Sequence, residues 1–202
     1  MEVTELIVDP KKDRISVYFN DEYFFWLTNK EIKKLDIKEE QELSLERINS
    51  IIDNIVYKKA KSKALNYIKY CDRTEQDVCL KLKKEGFIDL VIQKVIFFCK
   101  DYHIIDDYRY ATNYLNAKKE KKSLYQIKYE LKNKGVSDSI ISDVLKDIEV
   151  NEEEIIKTLI HKKTKNHTSN KESIQKLYYY LVRKGFNPSL VMKIIKENEQ
   201  NK

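Results

Sequence analysis

The chain has 202 residues, 42% of them hydrophobic and 36% charged, which is the composition of a folded globular protein of one or two domains. Its longest apolar run, residues 95–99, is far short of the ~18 residues that a membrane span needs, and its first residues lack the pattern of a secretory signal. The net charge of +6 is unevenly spread: residues 1–57 hold 8 basic and 13 acidic side chains, and the remainder holds 31 and 20. An acidic head on a basic body suggests two modules with different partners.

Cysteine and glycine usage exclude further classes of protein. Three cysteines without a close pair indicate a reduced, cytoplasmic protein rather than a disulfide-linked one. The three glycines, Gly86, Gly135 and Gly185, lie too far apart to form the loop with which nucleotide-binding proteins hold a phosphate. We therefore expect no nucleotide or other cofactor.

Residues 1–57 show the pattern of short strands followed by helices. Ile15, Val17 and Phe19 alternate with polar residues, and turn-forming residues separate this segment from its neighbours. Thr28 and Ser44 stand where N-caps of two helices are expected. This predicts a small β-meander with one or two helices, which is too small to be stable without the residues that follow.

An internal repeat occupies the rest of the chain and aligns on the three glycines, which are 49 and 50 residues apart. Leucine stands four residues before each glycine, and apolar residues stand five, six, nine and ten after it, as on the buried faces of two helices. The glycine would end the first helix in the left-handed conformation, where a Cβ costs roughly 1–2 kcal/mol. Twelve residues before each glycine is a hydroxyl residue that predicts the N-cap: Thr74, Ser123 and Ser173.

A further amphipathic stretch precedes each capped helix, so each repeat is predicted to hold three helices. The predicted fold is mainly α: an elongated, curved array of three tandem three-helix repeats behind a small N-terminal β-containing segment. The predicted boundaries are 1–57 for the head and 58–105, 106–151 and 152–202 for the repeats. Such arrays present long binding surfaces rather than enclosed catalytic centres, so we expect a protein that is not an enzyme.

Three blocks of the repeated region carry a resemblance to a known family. They are residues 127–135 (IKYELKNKG) with the helix after them, residues 105–111 (IDDYRYA), and residues 64–68 (ALNYI) with Thr74 and Glu75. Together they resemble the RecX family of recombinase regulators over roughly residues 58–196. The sequence departs from the family where Ser123-Leu124 replace Gly-Pro, where lysine replaces arginine, and in a long polar connection in the third repeat.

The resemblance implies a protein that binds the filament of the RecA recombinase and limits its ATP hydrolysis, strand exchange and SOS co-protease activity by occupying its groove. It also implies contact with DNA, single-stranded first and double-stranded as a further candidate. We expect the protein to be a monomer and not to bind a membrane. The alternative is a general DNA- or RNA-binding helical repeat protein without a recombinase partner, because both functions need a basic surface.

Two clusters combine lysines, which suit phosphates, with tyrosines, which suit bases. The alternative for each is an ordinary solvated surface. Lys121, Tyr125, Lys128 and Lys132 would share one face if the helix continues through Ser123. The first cluster consists of Lys118, Lys119, Lys121, Lys122, Tyr125, Lys128, Tyr129 and Lys132, and the second of Lys162, Lys163, Lys165, Lys176, Tyr179 and Arg183, with Lys171, Tyr178 and Tyr180 beside them.

Other candidate sites fit structural roles better. His161 and His167 are six residues apart, which is not the spacing of a metal-binding pair on a helix, and the cysteines lack ligand spacing, so we expect no metal. Asp106 and Asp107 are adjacent and suit the positive end of a helix dipole better than catalysis.

Overall fold

The computed structural model describes residues 1–146, 148, 150–164 and 171–200, and in the last two ranges it leaves the side chains of 164, 171, 172, 199 and 200 undescribed. By its internal contacts the chain divides into two compact units, residues 1–106 (unit 1) and 107–202 (unit 2). Unit 1 contains the sheet and the first repeat, and unit 2 contains the other two repeats. The predicted mainly helical fold, with three three-helix repeats behind a small N-terminal sheet, is confirmed.

Unit 1 begins with an antiparallel sheet in the order β1 (Val3–Asp9), β2 (Arg14–Phe19) and β3 (Glu22–Leu27). Ile15 and Val17 of β2 pair with Val8 and Leu6 of β1. The inward-facing residues of β2 are buried and the residues between them are half-buried, which is the alternation that the sequence predicts.

Helix α1 (Asn29–Leu35) starts with the capping box of Thr28 and Glu31, and α2 (Leu45–Ile51) starts at Ser44, whose side chain accepts from the backbone N–H of Arg47. The chain then passes through a π-helical turn, Ile52–Val56, directly into α3 (Tyr57–Ile68). The head and the first repeat are therefore joined inside one continuous run of helix. The sheet, α1, α2 and the first repeat also share one hydrophobic core, so the acidic head is part of unit 1 rather than a separate module.

The first repeat consists of α3, α4 (Glu75–Lys84) and α5 (Asp89–Asp101). The sheet packs on the C-terminal end of α4 and supplies donors for the carbonyl groups that the helix leaves without partners. Arg14 and Trp26 donate to the carbonyl oxygen of Glu85 at 3.1 and 3.0 Å, and the Tyr23 hydroxyl donates to that of Gly86.

Unit 2 contains two repeats with separate core clusters. The second repeat consists of α6 (Asp107–Lys118), α7 (Leu124–Asn133) and α8 (Asp138–Leu145), and the third consists of α9 (Glu152–Thr164), α10 (Lys171–Arg183) and α11 (Pro188–Gln200). Asn187 caps α11 through its side-chain oxygen, with Pro188 as the first helical residue, as the sequence predicts.

The three glycines have the predicted role. Their φ angles are +83°, +79° and +82° at Gly86, Gly135 and Gly185. In each repeat the glycine N–H and the following N–H bond back to the end of the middle helix, which is the pattern of a Schellman motif. The side chains that follow the glycines are buried: Phe87, Val136 and Phe186.

The predicted N-caps are correct in two repeats and wrong in the third. Thr74 and Ser123 accept from the backbone N–H groups three residues on, and both are fully buried. Ser173 is not a cap, because α10 already begins at Lys171.

Candidate nucleic-acid interface

The first cluster has its centre on the outer face of α7. Tyr125, Lys128, Tyr129 and Lys132 stand at steps of three and four and are all exposed, Tyr125 at 67% and Tyr129 at 58%. Ile127 and Leu131 on the opposite side are fully buried and fix the rotation of the helix. We call these four residues the α7 face.

The lysines before α7 lie outside that helix. Because Ser123 is the N-cap, the helix does not continue through it, and Lys121 lies in the turn between α6 and α7 rather than on the α7 face. Lys118 ends α6, and Lys119 follows it in the same turn. Within the described residues, no ion pair holds Lys118, Lys119, Lys121 or Lys128, so these ammonium groups are available to phosphates.

Lys122 has a structural role. Its ammonium group lies 2.6 and 2.7 Å from the two carboxylate oxygens of Glu130, which also accept from the Tyr114 hydroxyl and the Gln126 amide. Burial opposes ionisation of Glu130, but the bonds from Lys122 and Tyr114 outweigh it and lower its pKa. Burial and the neighbouring carboxylate raise the pKa of Tyr114. This cluster fixes α6 against α7 and keeps Lys122 from a ligand.

Tyr125 combines exposure with packing. A Cβ on Gly185 would lie 2.5 Å from Cδ1 of Tyr125, so the ring rests on the backbone of the third repeat. Beside it, the Ser123 hydroxyl donates to the carbonyl oxygen of Lys184 at 2.6 Å. Ser123 thus caps the N-terminus of α7 and also the C-terminal end of α10, which fixes the two helices against each other.

The second cluster has its centre on α10. Lys176, Tyr179 and Arg183 are exposed at steps of three and four, and Tyr179 is 54% exposed; we call them the α10 face. Tyr178 and Tyr180 instead pack partly against the core of the third repeat. Lys162 and Lys163 are exposed near the end of α9, and Lys163 lies 4.5 Å from the ring centre of Tyr180. Lys165 lies outside the described residues.

The structure shows a repeated feature that the sequence analysis missed. The residue six before each glycine is large and exposed: Leu80 at 57%, Tyr129 at 58% and Tyr179 at 54%. The alignment on the glycines contains this signal, but an apolar residue on a helix is ordinarily assigned to the core. A cation follows each of the three within one helical turn, at Lys83, Lys132 and Arg183.

Other kinds of site find less support. Across the described ranges, no group of three or more His, Cys, Asp or Glu side chains is placed to hold a metal, and His167 lies outside those ranges. Asp107 is the first residue of α6, as expected for an acid at a helix start. None of the helices among the described residues has the length and apolar character that crossing a membrane requires.

Comparison with known families gives three consecutive matches along the chain. Residues 60–99, 106–145 and 151–195 match the models of the first, second and third three-helix domains of RecX. The matched ranges correspond to the three repeats.

Curated proteins and solved structures agree with these matches. The chain is 35% identical over 149 residues to the regulatory protein RecX of Clostridium acetobutylicum, covering 74% of this chain and 70% of that protein. It is 31% identical over 170 residues to the regulatory protein RecX of Clostridium tetani, covering 83% and 79%. A crystal structure of regulatory protein RecX matches with a TM-score of 0.64 at 25% identity over 97% of this chain and 98% of that one. The crystal structure of RecX from Lactobacillus salivarius matches with a TM-score of 0.58 at 28% identity, covering 71% and 97%.

Proposed function

The chain belongs to the RecX family, and on that premise we propose that it binds the filament that the RecA recombinase forms on single-stranded DNA. The bound protein occupies the filament and so limits the ATP hydrolysis, strand exchange and SOS co-protease activity of the recombinase, without catalysis by this chain. The protein acts as a monomer in the cytoplasm and also contacts DNA, both single-stranded and double-stranded.

The observation that carries this proposal is the pair of exposed faces on the middle helices of unit 2. The α7 face presents two tyrosines and two lysines, of which Lys132 also pairs with the exposed Asp138 at 2.9 Å. The α10 face presents Lys176, Tyr179 and Arg183. Ammonium and guanidinium groups pair with phosphates, and tyrosine rings stack on bases or fill pockets of a protein partner. A surface of this kind fits a nucleoprotein polymer, because such a polymer presents both nucleic acid and protein surface along its length.

The experiment is a titration of this protein into a RecA-type recombinase that hydrolyses ATP on single-stranded DNA. A filament regulator lowers the rate when far too little protein is present to cover the DNA, since each bound molecule affects many recombinase subunits. Inhibition only at coating concentrations would instead support the alternative, a general DNA- or RNA-binding protein that competes for the strand.

A charge-reversal variant assigns the surface. Lys118, Lys119, Lys121 and Lys128 changed together to Glu should abolish filament binding and leave helicity unchanged, because within the described residues none of them forms an ion pair. Lys122 is left intact because its substitution would break the cluster at Glu130. The matched control changes four exposed lysines of unit 1 to Glu: Lys11, Lys30, Lys33 and Lys34. Unaltered filament affinity of the fourfold variant would contradict the assignment.

A further inference from the structure

Unit 1 contains a groove between the sheet and the first repeat. It has a volume of about 660 Å³, and Trp26 of β3, Lys58, Lys59 and Lys63 of α3, and Lys81 and Glu85 at the end of α4 contribute to its walls. A second depression of about 380 Å³ adjoins it and adds Lys12, Lys84 and the carboxylate of Asp77 to the lining. The two share Tyr67, Lys81 and Glu85, so they form one extended path, which we call the sheet–helix groove.

The groove has an excess of positive charge. The Glu85 carboxylate is surrounded by three cations. Its oxygens lie 2.7, 4.0 and 3.0 Å from the side-chain nitrogens of Arg14, Lys63 and Lys81. Hydrogen bonds from Arg14 and then Lys81 lower the pKa of Glu85 to about 2, so this carboxylate is ionised at neutral pH and still balances only one of three cations. Lys59 pairs with Glu31, and Lys58 adds a further exposed cation.

The wall on α3 repeats polar groups at one-turn intervals. Lys58, Ser62 and Asn66 form one row, and Lys59, Lys63 and Tyr67 form the next, each at steps of four residues. Each row extends about 12 Å along the helix, which is longer than a single phosphate group.

Two of the cations pack on Trp26, and two others are exposed. Arg14 and Lys59 lie 4.1 and 4.2 Å from the ring centre of Trp26, which holds them in place by cation–π contacts. The Lys63 side chain is 48% exposed, and Lys58 is exposed. The groove thus combines cations packed beside Trp26 with the exposed lysines of α3.

We propose that the sheet–helix groove binds the sugar–phosphate backbone of single-stranded nucleic acid. An extended path lined by lysines fits a polyanion rather than a small anion, because one phosphate would occupy only part of it. The hydroxyl of Ser62 and the amide of Asn66, both exposed, suit phosphate and sugar oxygens. This inference deepens the proposed function by adding a contact to DNA from unit 1.

Trp26 makes the test local, because it is the single tryptophan of the chain and lies in the groove. A 20-nucleotide oligo-dT is titrated into the full-length protein while the emission of Trp26 is followed, at several salt concentrations. The variant is Lys58→Gln with Lys63→Gln, and the control is Lys33→Gln with Lys34→Gln, which removes the same charge from an exposed helix of the same unit. All four lysines are at the surface, so both variants keep the fold.

We expect oligo-dT to change the emission of Trp26 in the wild type and in the control. Loss of two phosphate contacts should make the slope of log K against log salt concentration less steep by about 1.4, which is about 25-fold weaker binding at 0.1 M salt. Binding of the groove variant that equals the control would overturn the proposal. Displacement of oligo-dT by poly-glutamate of equal charge would also overturn it, in favour of an acidic polypeptide.

The outcomes separate this inference from the proposed function. The fourfold charge-reversal variant of unit 2 should lose inhibition of ATP hydrolysis but keep the response of Trp26 to oligo-dT. Inhibition by the groove variant at the wild-type level, with an unchanged Trp26 response, would end the groove proposal and leave the filament proposal intact.

Discussion

The hydroxyl of Ser123 holds the second and third repeats together, and its removal is the sharpest test of how the repeats stack. Its oxygen accepts from the backbone N–H of Gln126 at 3.1 Å, and its O–H donates to the carbonyl oxygen of Lys184 at 2.6 Å. Ser123→Ala removes an N-cap worth about 1 kcal/mol. It also removes a buried hydrogen bond worth about 1 kcal/mol. We expect unit 2 to lose about 2 kcal/mol of its free energy of unfolding.

Ser137 provides the matched control. It caps α8 by accepting from the backbone N–H of Ile140, but it is exposed. Ser137→Ala should therefore cost the cap and an exposed bond to the Ser139 hydroxyl, together about 1 kcal/mol or less. The difference between the two variants isolates the bond between the repeats.

Urea unfolding measures both variants. Circular dichroism follows the whole chain, whereas Trp26 fluorescence follows unit 1 alone. A loss of about 2 kcal/mol moves the midpoint of unit 2 by about 1 M urea at the usual slope for a small domain. The Trp26 transition should not move. Equal effects of Ser123→Ala and Ser137→Ala would show that the bond to Lys184 contributes nothing to stability.

Three further predictions concern other parts of the chain. Since the pKa of Glu85 in the folded state, about 2, lies below its ordinary value of 4.5, its ion pairs stabilise the fold above about pH 4.5, and that stability is lost as the pH falls toward 2. After allowance for solvent screening, Glu85→Gln should lower the free energy of unfolding by about 1–2 kcal/mol at pH 7. In urea unfolding followed by Trp26 fluorescence, the stability of this variant should fall less between pH 4.5 and pH 2 than that of the wild type. An equal fall in both proteins would contradict this prediction. Tyr179→Ala should weaken binding of single-stranded DNA by about 1–3 kcal/mol, or roughly 5- to 150-fold in an anisotropy titration, without loss of stability. Tyr178→Ala should instead lower the melting temperature, because this ring packs against the core. Loss of stability in the Tyr179 variant and loss of DNA binding in the Tyr178 variant would refute the assignment of the two rings. Gly185→Ala should lower the free energy of unfolding more than Gly86→Ala does. The new Cβ at Gly185 would lie 2.5 Å from the Tyr125 ring and add roughly 1–3 kcal/mol of overpacking to the left-handed strain, whereas the atom nearest to a Cβ at Gly86 is the Tyr23 hydroxyl oxygen at 3.3 Å. Thermal melts that rank the two variants equally would argue against this close packing.

Much of the fold could be predicted because its determinants are local. A glycine at a helix end, a hydroxyl at a helix start and apolar residues at helical spacing each specify their own neighbourhood, and all three recur in register. Ser173 shows where such reasoning fails, because a hydroxyl that matches the repeat can lie inside a helix that starts earlier. Nothing near a cap residue in sequence shows how far upstream helical residues extend.

The candidate site could be predicted only in outline, because partners distant in sequence decide the role of a charge. Lys122 and Lys121 are adjacent, yet Glu130 binds Lys122 while Lys121 stays exposed. The acidic composition of residues 1–57 likewise suggested a separate module. The fold instead places Arg14 and Trp26 against the end of α4, where Trp26 lines a basic groove.

Hydrogen exchange of the protein bound to an assembled recombinase filament would show which of its surfaces the filament covers. We expect slower exchange of backbone amides in residues 118–132 and 176–183 on the filament than in the free protein, with little change in the core of α5. Unchanged exchange in both of these segments, with protection confined to other surfaces, would contradict the claim that the α7 and α10 faces bind the filament.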